Sequence, residues 1–320
     1  MSELFRVSSA PHVRAKTSTQ NVMMWVCIAM IPTAAFGIWN FGFRALLLIV
    51  ATVLSCVASE TVFNLIVKKK NTISDLSAVV TGMILALNLP VTLPIWMAVI
   101  GGVFSIVVVK MLFGGLGQNF MNPALAGRCF LLLSFTSEMN NFVTDTYTKA
   151  TPLAELQSTK GIIAPWNNYQ LMDMFLGTTP GTIGETSVAA LLIGAAILVA
   201  MRIISLRIPV AYLGSFAVLM FLFGQRAFDP TYVLAQLMCG GIMFGAWFMA
   251  TDYATTPITK KGQILFGICC GVLTFLFRTI GAAPEGVSYA IILSNLFVPL
   301  IEKITVPRAF GVVKVKKEGK

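Results

Sequence analysis

Few side chains in this sequence can do chemistry, and most of them stand in or beside apolar runs. Glu60 falls inside the run 44–67, and Asp252 directly follows the run 231–250. A carboxylate at that depth marks an ion or proton path by default. The plainer alternatives are that Glu60 snorkels to the nearer surface and that Asp252 caps a helix start. Arg128 offers a counter-charge to either carboxylate, or to a bound ligand. In Gly114-Gly115-Leu116-Gly117-Gln118-Asn119-Phe120-Met121-Asn122-Pro123 the glycines permit a tight turn, and Asn122-Pro123 suits the opening of a helix. Asn119 and Asn122 also present amide donors and acceptors. The stretch Asp145-Thr146-Tyr147-Thr148-Lys149-Ala150-Thr151-Pro152-Leu153 reads, taken bare, as a solvated turn. His12 is the only histidine, which excludes a histidine-based metal site within this chain. The six cysteines all fall in apolar segments without C-x-x-C spacing and read as small buried hydrophobes, the sharper alternative being an iron–sulfur site shared with a partner subunit.

The elements that position these residues are expected to be membrane helices. Hydrophobic residues make up 57% of the 320 positions and charged ones only 11%, with mean hydropathy +0.83. Soluble domains carry roughly a quarter charged residues. Runs of about 20 apolar residues match the length of a helix that crosses a bilayer, and they lack the two-residue alternation of a barrel strand. Ten spans are expected, at 21–39, 44–67, 76–89, 94–113, 123–136, 187–203, 209–224, 231–250, 263–280 and 286–304.

A net charge of +10 would suit nucleic acid, but the basic residues are better read as loops on one face of a membrane, with no nucleic-acid partner. With an inside N-terminus, Lys68, Lys69, Lys70, Lys110, Arg202, Arg207, Lys260, Lys261 and the basic tail all fall inside, as the positive-inside rule expects. The expected organisation is an inside N-terminal segment 1–20, a five-helix half 21–136, an outside loop 137–186, a second half 187–304 and an inside tail 305–320. Trp166, Tyr169 and several prolines and glycines make the loop a folded cap rather than a linker. Five spans on each side of it imply two halves of opposite orientation. Thr81-Gly82-Met83-Ile84-Leu85-Ala86-Leu87 is weakly similar to Gly240-Gly241-Ile242-Met243-Phe244-Gly245-Ala246. Short, interrupted spans at matching positions point to a central binding site. The fold class is thus an all-α integral membrane protein of about ten transmembrane helices in two inverted halves.

Several motifs carry a family resemblance. Asp145, Thr148, Ala150 and Thr151 fit D-x-x-(S/T)-x-A-T, the pattern at which a flavin transferase esterifies a threonine with the phosphate of FMN. The segments 114–128, Pro180-Gly181-Thr182-Ile183-Gly184-Glu185-Thr186-Ser187, Phe248-Met249-Ala250-Thr251-Asp252, Thr255-Thr256-Pro257, Pro284-Glu285-Gly286 and Ser9-Ala10-Pro11-His12 follow in the same register. Together they resemble the family of Rnf-complex D subunits and their homologues, the B subunits of the sodium-translocating NADH:quinone reductase. The resemblance implies a urea-transporter-like fold in a bacterial or archaeal cytoplasmic membrane, with both termini cytoplasmic. It implies covalent FMN on Thr151 and a second, non-covalent flavin (riboflavin) near Asn119 and Asn122, with Asp252 beside a flavin or in ion coupling. Glu60 and Arg128 are further ion-coupling candidates. Flavin- and iron–sulfur-bearing subunits would be partners, because this chain has no nucleotide fingerprint and no cluster motif of its own.

The competing class is a passive channel or secondary transporter, which ten spans in inverted halves would also suit. The outside loop discriminates, since a channel has no use for a flavin-acceptor threonine.

Overall fold

The computed structural model describes residues 18–69, 72–142, 151–158, 171–281 and 286–307, and every regular element among them is helical. α1 (Thr19–Phe41) starts at Ser18, whose hydroxyl accepts from the Asn21 amide. It ends at Gly42, whose φ of 72° turns the chain at once into α2 (Phe43–Ile66). α3 (Ser77–Leu87) follows a short turn. α4 (Ile95–Val103) runs on as a π-helix over Phe104–Met111. Asn122 opens α5 (Pro123–Ser134) by accepting from the Ala124 and Leu125 amides, with proline at the first position where no amide is needed. α6 (Thr136–Met139), α7 (Pro152–Ser158) and α8 (Leu171–Leu176) are short. α9 (Val188–Ala200), α10 (Arg207–Phe223), α11 (Pro230–Met238) and α12 (Ile242–Phe244) come next, and α12 continues as a π-helix over Gly245–Met249. α13 (Lys260–Ile280) and α14 (Val287–Thr305) close the described chain.

By length and composition α1, α2, α13 and α14 can each cross a membrane. α11 and the Ile242–Met249 segment form a fifth candidate if taken together, although they are bent by 70°. The remaining apolar helices are shorter. Each apolar run of the sequence is occupied by helix, but the run 231–250 is not one continuous span. It breaks at Gly240 and Gly241, with φ of 70° and 61°, a conformation that glycine adopts without steric cost. The exterior carries Trp39, Leu65, Ile66, Phe223 and Ile280, each more than two-thirds exposed. Such an apolar surface needs lipid around it, and the chain is a multi-pass membrane protein.

Small residues set the helix contacts, as expected where lipid supplies no hydrophobic drive between helices. α10 lies so close to α13 that a β-carbon on Gly271 would sit 2.8 Å from the Tyr212 carbonyl. The Tyr212 hydroxyl and Thr274 then meet at 2.7 Å between the same two helices. α2 packs on α3 and α4, and α1 packs on α9.

The expected folded cap over 137–186 contains α7 and α8, while Trp166 and Tyr169 lie outside the described residues. Its last stretch enters the protein. The Gly184 amide donates to the Leu87 carbonyl at 2.7 Å and the Ile183 amide to the Leu89 carbonyl at 3.1 Å. The loop thereby satisfies the last carbonyl of α3, that of Leu87, without water.

Candidate functional site

Two cavities stand at opposite ends of the Ile242–Met249 segment. Gly240 lines one, and Phe248 with Thr251–Ala254 lines the other.

The larger cavity spans about 750 Å³ including its open mouth. Asn119, Asn122 and Asp252 all line it, so three of the residues singled out in the sequence come together. Both π-helices form its wall, one through Lys110 and the other through Phe248. Such widened turns recur at functional sites. Val22, Val26, Val80, Ile84 and Leu198 make the rest of the wall apolar.

The two asparagines differ in what they have left to offer. Asn122 caps α5 through Oδ1 and donates through Nδ2 to the Met249 carbonyl at 3.3 Å, so it ties α5 to the π-helix. Asn119 donates through Nδ2 to the Met121 carbonyl at 3.2 Å. Its buried Oδ1 has no partner among the described residues, which leaves it as an acceptor for a ligand. Asp252 does not start a helix. Its oxygens accept from the Ala254 amide at 3.4 Å and the Thr255 hydroxyl at 3.2 Å, closing a turn of its own. Burial among these atoms pushes its carboxyl above the ordinary carboxylate range, and the two hydrogen bonds oppose that only in part.

Glu60 does not snorkel, and it does not wait for Arg128. It is 1% exposed and forms an ion pair of 2.8 Å with Lys110, itself 2% exposed. Thr72 donates to its other oxygen. Lys110 also donates to the Ser77 hydroxyl at 2.6 Å. The sequence places Lys110 among the inside loop charges, and the structure corrects this: it is embedded at the end of the Phe104–Met111 π-helix. The available signal is its position after Ile106-Val107-Val108-Val109, a lysine at the end of an apolar run.

Arg128 lies apart from this cavity. It donates at 3.0 Å to both Asn88 Oδ1 and Ser288 Oγ, joining α5 to the end of α3 and to α14.

The smaller cavity, about 350 Å³, holds Thr151 together with Thr179, Glu185, Thr186, Cys239 and Gly240. Thr151 is 9% exposed, and its hydroxyl accepts from the Ala154 amide at 3.2 Å, capping α7. The buried Thr186 hydroxyl has no partner among the described residues. Thr182 donates to Glu185 at 2.9 Å, and the Glu185 carboxylate lies against Gly241. Asp145, Thr148 and Ala150, the rest of the expected acceptor pattern, lie outside the described residues.

Below the break, Arg278 donates to the carbonyls of Gln236, Cys239 and Gly240 at 2.5 to 2.8 Å. The sequence gives no sign of this role, because the acceptors are backbone atoms about 40 residues away. Among the described residues no group of His, Cys, Asp and Glu is arranged to hold a metal.

Sequence comparison places this geometry in a lineage. The chain is 48% identical over 327 residues to the D subunit of the Na⁺-translocating ferredoxin:NAD⁺ oxidoreductase complex of Acetobacterium woodii, with 100% of both chains covered. It is 39% identical over 322 residues to the D subunit of the proton-translocating ferredoxin:NAD⁺ oxidoreductase complex of Clostridium ljungdahlii, covering 96% of each. It is 36% identical to the D subunit of the ion-translocating oxidoreductase complex of Stutzerimonas stutzeri, covering 92% of this chain and 93% of that one. Residues 6–311 match the NQR2, RnfD, RnfE family, and the chain belongs to that family.

Proposed function

We propose that this chain is the membrane subunit of an ion-translocating ferredoxin:NAD⁺ oxidoreductase complex, and that it carries electrons between two flavins. One is FMN, attached through its phosphate to Thr151. The other is a non-covalent flavin, riboflavin, in the asparagine cavity. The observation that carries the reading is the pairing of two cavities along one broken helix. One contains a buried threonine hydroxyl, and the other offers an unpartnered buried acceptor and a lysine ammonium among apolar walls.

The residues fit the groups proposed for them. A flavin supplies one- and two-electron chemistry, and the protein's part is to place and tune it. Apolar walls from Val26, Ile84 and Phe248 suit a flat ring. Asn119 Oδ1 suits an imide N–H, and Lys110 suits the carbonyl edge beside it. Asp252, tied into its own turn by the Ala254 amide and the Thr255 hydroxyl, adds a polar group to the same wall. At the other site the Thr151 oxygen becomes the ester oxygen. The Thr186 hydroxyl and polar backbone of the same cavity remain for the attached group.

Ten spans in two inverted halves, with both termini cytoplasmic, put the asparagine cavity near the inner face and Thr151 near the outer face. Electrons then cross the membrane within this chain, while ferredoxin and NAD⁺ are handled by flavin- and iron–sulfur-bearing partner subunits. Maturation requires a flavin transferase. Glu60, Asp252 and Arg128 are the ion-coupling candidates, with Na⁺ or H⁺ as the ion moved.

The test is made in sealed membrane vesicles carrying the whole complex. Reduced ferredoxin is supplied with NAD⁺, Na⁺ is varied, and an ionophore is added. Turnover that accelerates with ionophore and fails in vesicles lacking this subunit supports the reading. Turnover independent of the subunit contradicts it.

A further inference from the structure

The Glu60–Lys110 pair shares a wall with the asparagine cavity. Lys110 carries three N–H donors. One goes to Glu60 Oε2 and one to Ser77 Oγ, and its described contacts include no third acceptor. Lys110 and Ser77 both line the cavity, whereas Glu60 does not. Lys110 is therefore the layer between the cavity and the carboxylate.

A buried ion pair is held by its geometry against the cost of removing both charges from water. Negative charge appearing in the cavity competes with Glu60 for the same ammonium at low dielectric, where such competition is strong. Asp252 across the cavity is engaged by its own turn and is a poor substitute for Glu60. The other groups about Glu60 are Cys56 and Asn64 on α2, Thr72, and Ser77 with Asp75 bound to it at 2.5 Å. Lys68 and Lys69 follow the end of α2. Among these described groups only Lys110 both bonds to the Glu60 carboxylate and lines the cavity.

We infer that Lys110 couples electron arrival to cation binding, because its ammonium is shared between Glu60 and the ligand of the cavity. When one electron passes from the FMN side into the cavity, Lys110 is drawn towards the ligand. Glu60 is left to take one monovalent cation, Na⁺ or H⁺. One negative and one positive charge enter together, and the only link exchanged is the Lys110–Glu60 ion pair. With Na⁺ no covalent bond forms or breaks; with H⁺ one O–H bond forms on the Glu60 carboxylate and breaks again on release. When the electron leaves, Lys110 returns and the cation is released. Lys110 is thus a positioning residue that also sets how readily the cavity accepts charge. This rests on the flavin reading of the cavity.

The test is a redox titration of the acid-extractable flavin in the purified complex, with Na⁺ varied at fixed pH and pH varied at fixed Na⁺. The wild-type midpoint should rise with the coupling cation, approaching about 59 mV per tenfold increase for a one-electron step. Glu60→Gln leaves the ammonium unshared, so its midpoint should be higher and flat against cation. Lys110→Met should lower the midpoint. Each single change strands a buried charge, so the double variant Glu60→Gln with Lys110→Met provides the fold control. It should keep its flavin and show no cation dependence. A wild-type midpoint flat in both titrations, or a dependence that survives in the double variant, overturns the coupling. Wild-type complex without extractable flavin overturns the cavity reading as well.

Discussion

The Gly184 amide donates to the Leu87 carbonyl at 2.7 Å, across nearly a hundred residues of chain. This contact plugs the C-terminal end of α3 with backbone from the long loop. It also brings that loop, and Glu185 with it, against the break at Gly240 and Gly241. The loop is therefore part of the membrane unit, and the pocket around Thr151 is built jointly by loop and broken helix.

That contact leaves no room for a side chain. A β-carbon at position 184 would lie 2.6 Å from the Leu87 β-carbon and 3.1 Å from the Leu87 carbonyl oxygen. Gly184→Val should destabilise the solubilised protein by about 1–3 kcal/mol. Thermal unfolding in detergent measures this, and an unchanged transition would contradict the plug.

Arg278 should be equally sensitive. Arg278→Met removes the donor to the Gln236, Cys239 and Gly240 carbonyls, and an unsatisfied buried polar group costs about 1–3 kcal/mol. Arg278→Lys should recover little of the loss, because a lysine cannot reproduce the planar fork. Comparison of the two unfolding transitions decides.

The two asparagines should separate by readout. Asn122→Ala loses the α5 cap and should cost about 1 kcal/mol of stability. Asn119→Ala should leave the unfolding transition nearly in place. Its expected effect is the loss of one ligand hydrogen bond, about 1 kcal/mol or roughly fivefold weaker flavin retention on washing. Equal behaviour of the two variants would show that neither is specific to the ligand.

Asp252 gives a pH signature. Its carboxyl is held above the ordinary value of 3.8 by burial in the folded protein. A raised folded-state value contributes stability that is fully present below the unfolded value and is lost as pH rises through the folded value. Wild type should thus lose stability relative to Asp252→Asn as pH climbs from about 4 through the weakly acid range. Unfolding transitions of both proteins across that range check the sign, and a wild type that instead gains on the variant as pH rises would reverse it.

Much of the architecture was legible because hydrophobicity along the chain is a one-dimensional signal. The helix start at Asn122-Pro123 was also readable, since a cap and its proline are adjacent. The break within 231–250 was harder. Gly240-Gly241 is visible in sequence, but a 70° bend depends on Arg278 and Glu185 meeting it from elsewhere in the chain. Lys110 is misplaced by loop charge for a related reason, because the partner that keeps it inside, Glu60, is 50 residues away. Asn119, Asn122 and Asp252 were each recognisable, and the cavity they share was not. Their different tasks emerge only when the hydrogen bonds of each side chain are counted.

Thr151 is the proposed anchor of the electron-carrying flavin. The most direct measurement is ultraviolet fluorescence of the denatured chain in a gel, after co-expression with a flavin transferase. A fluorescent wild-type band and a dark Thr151→Ala band are expected. A dark wild-type band, or a Thr151→Ala band that still fluoresces, would contradict that role of Thr151.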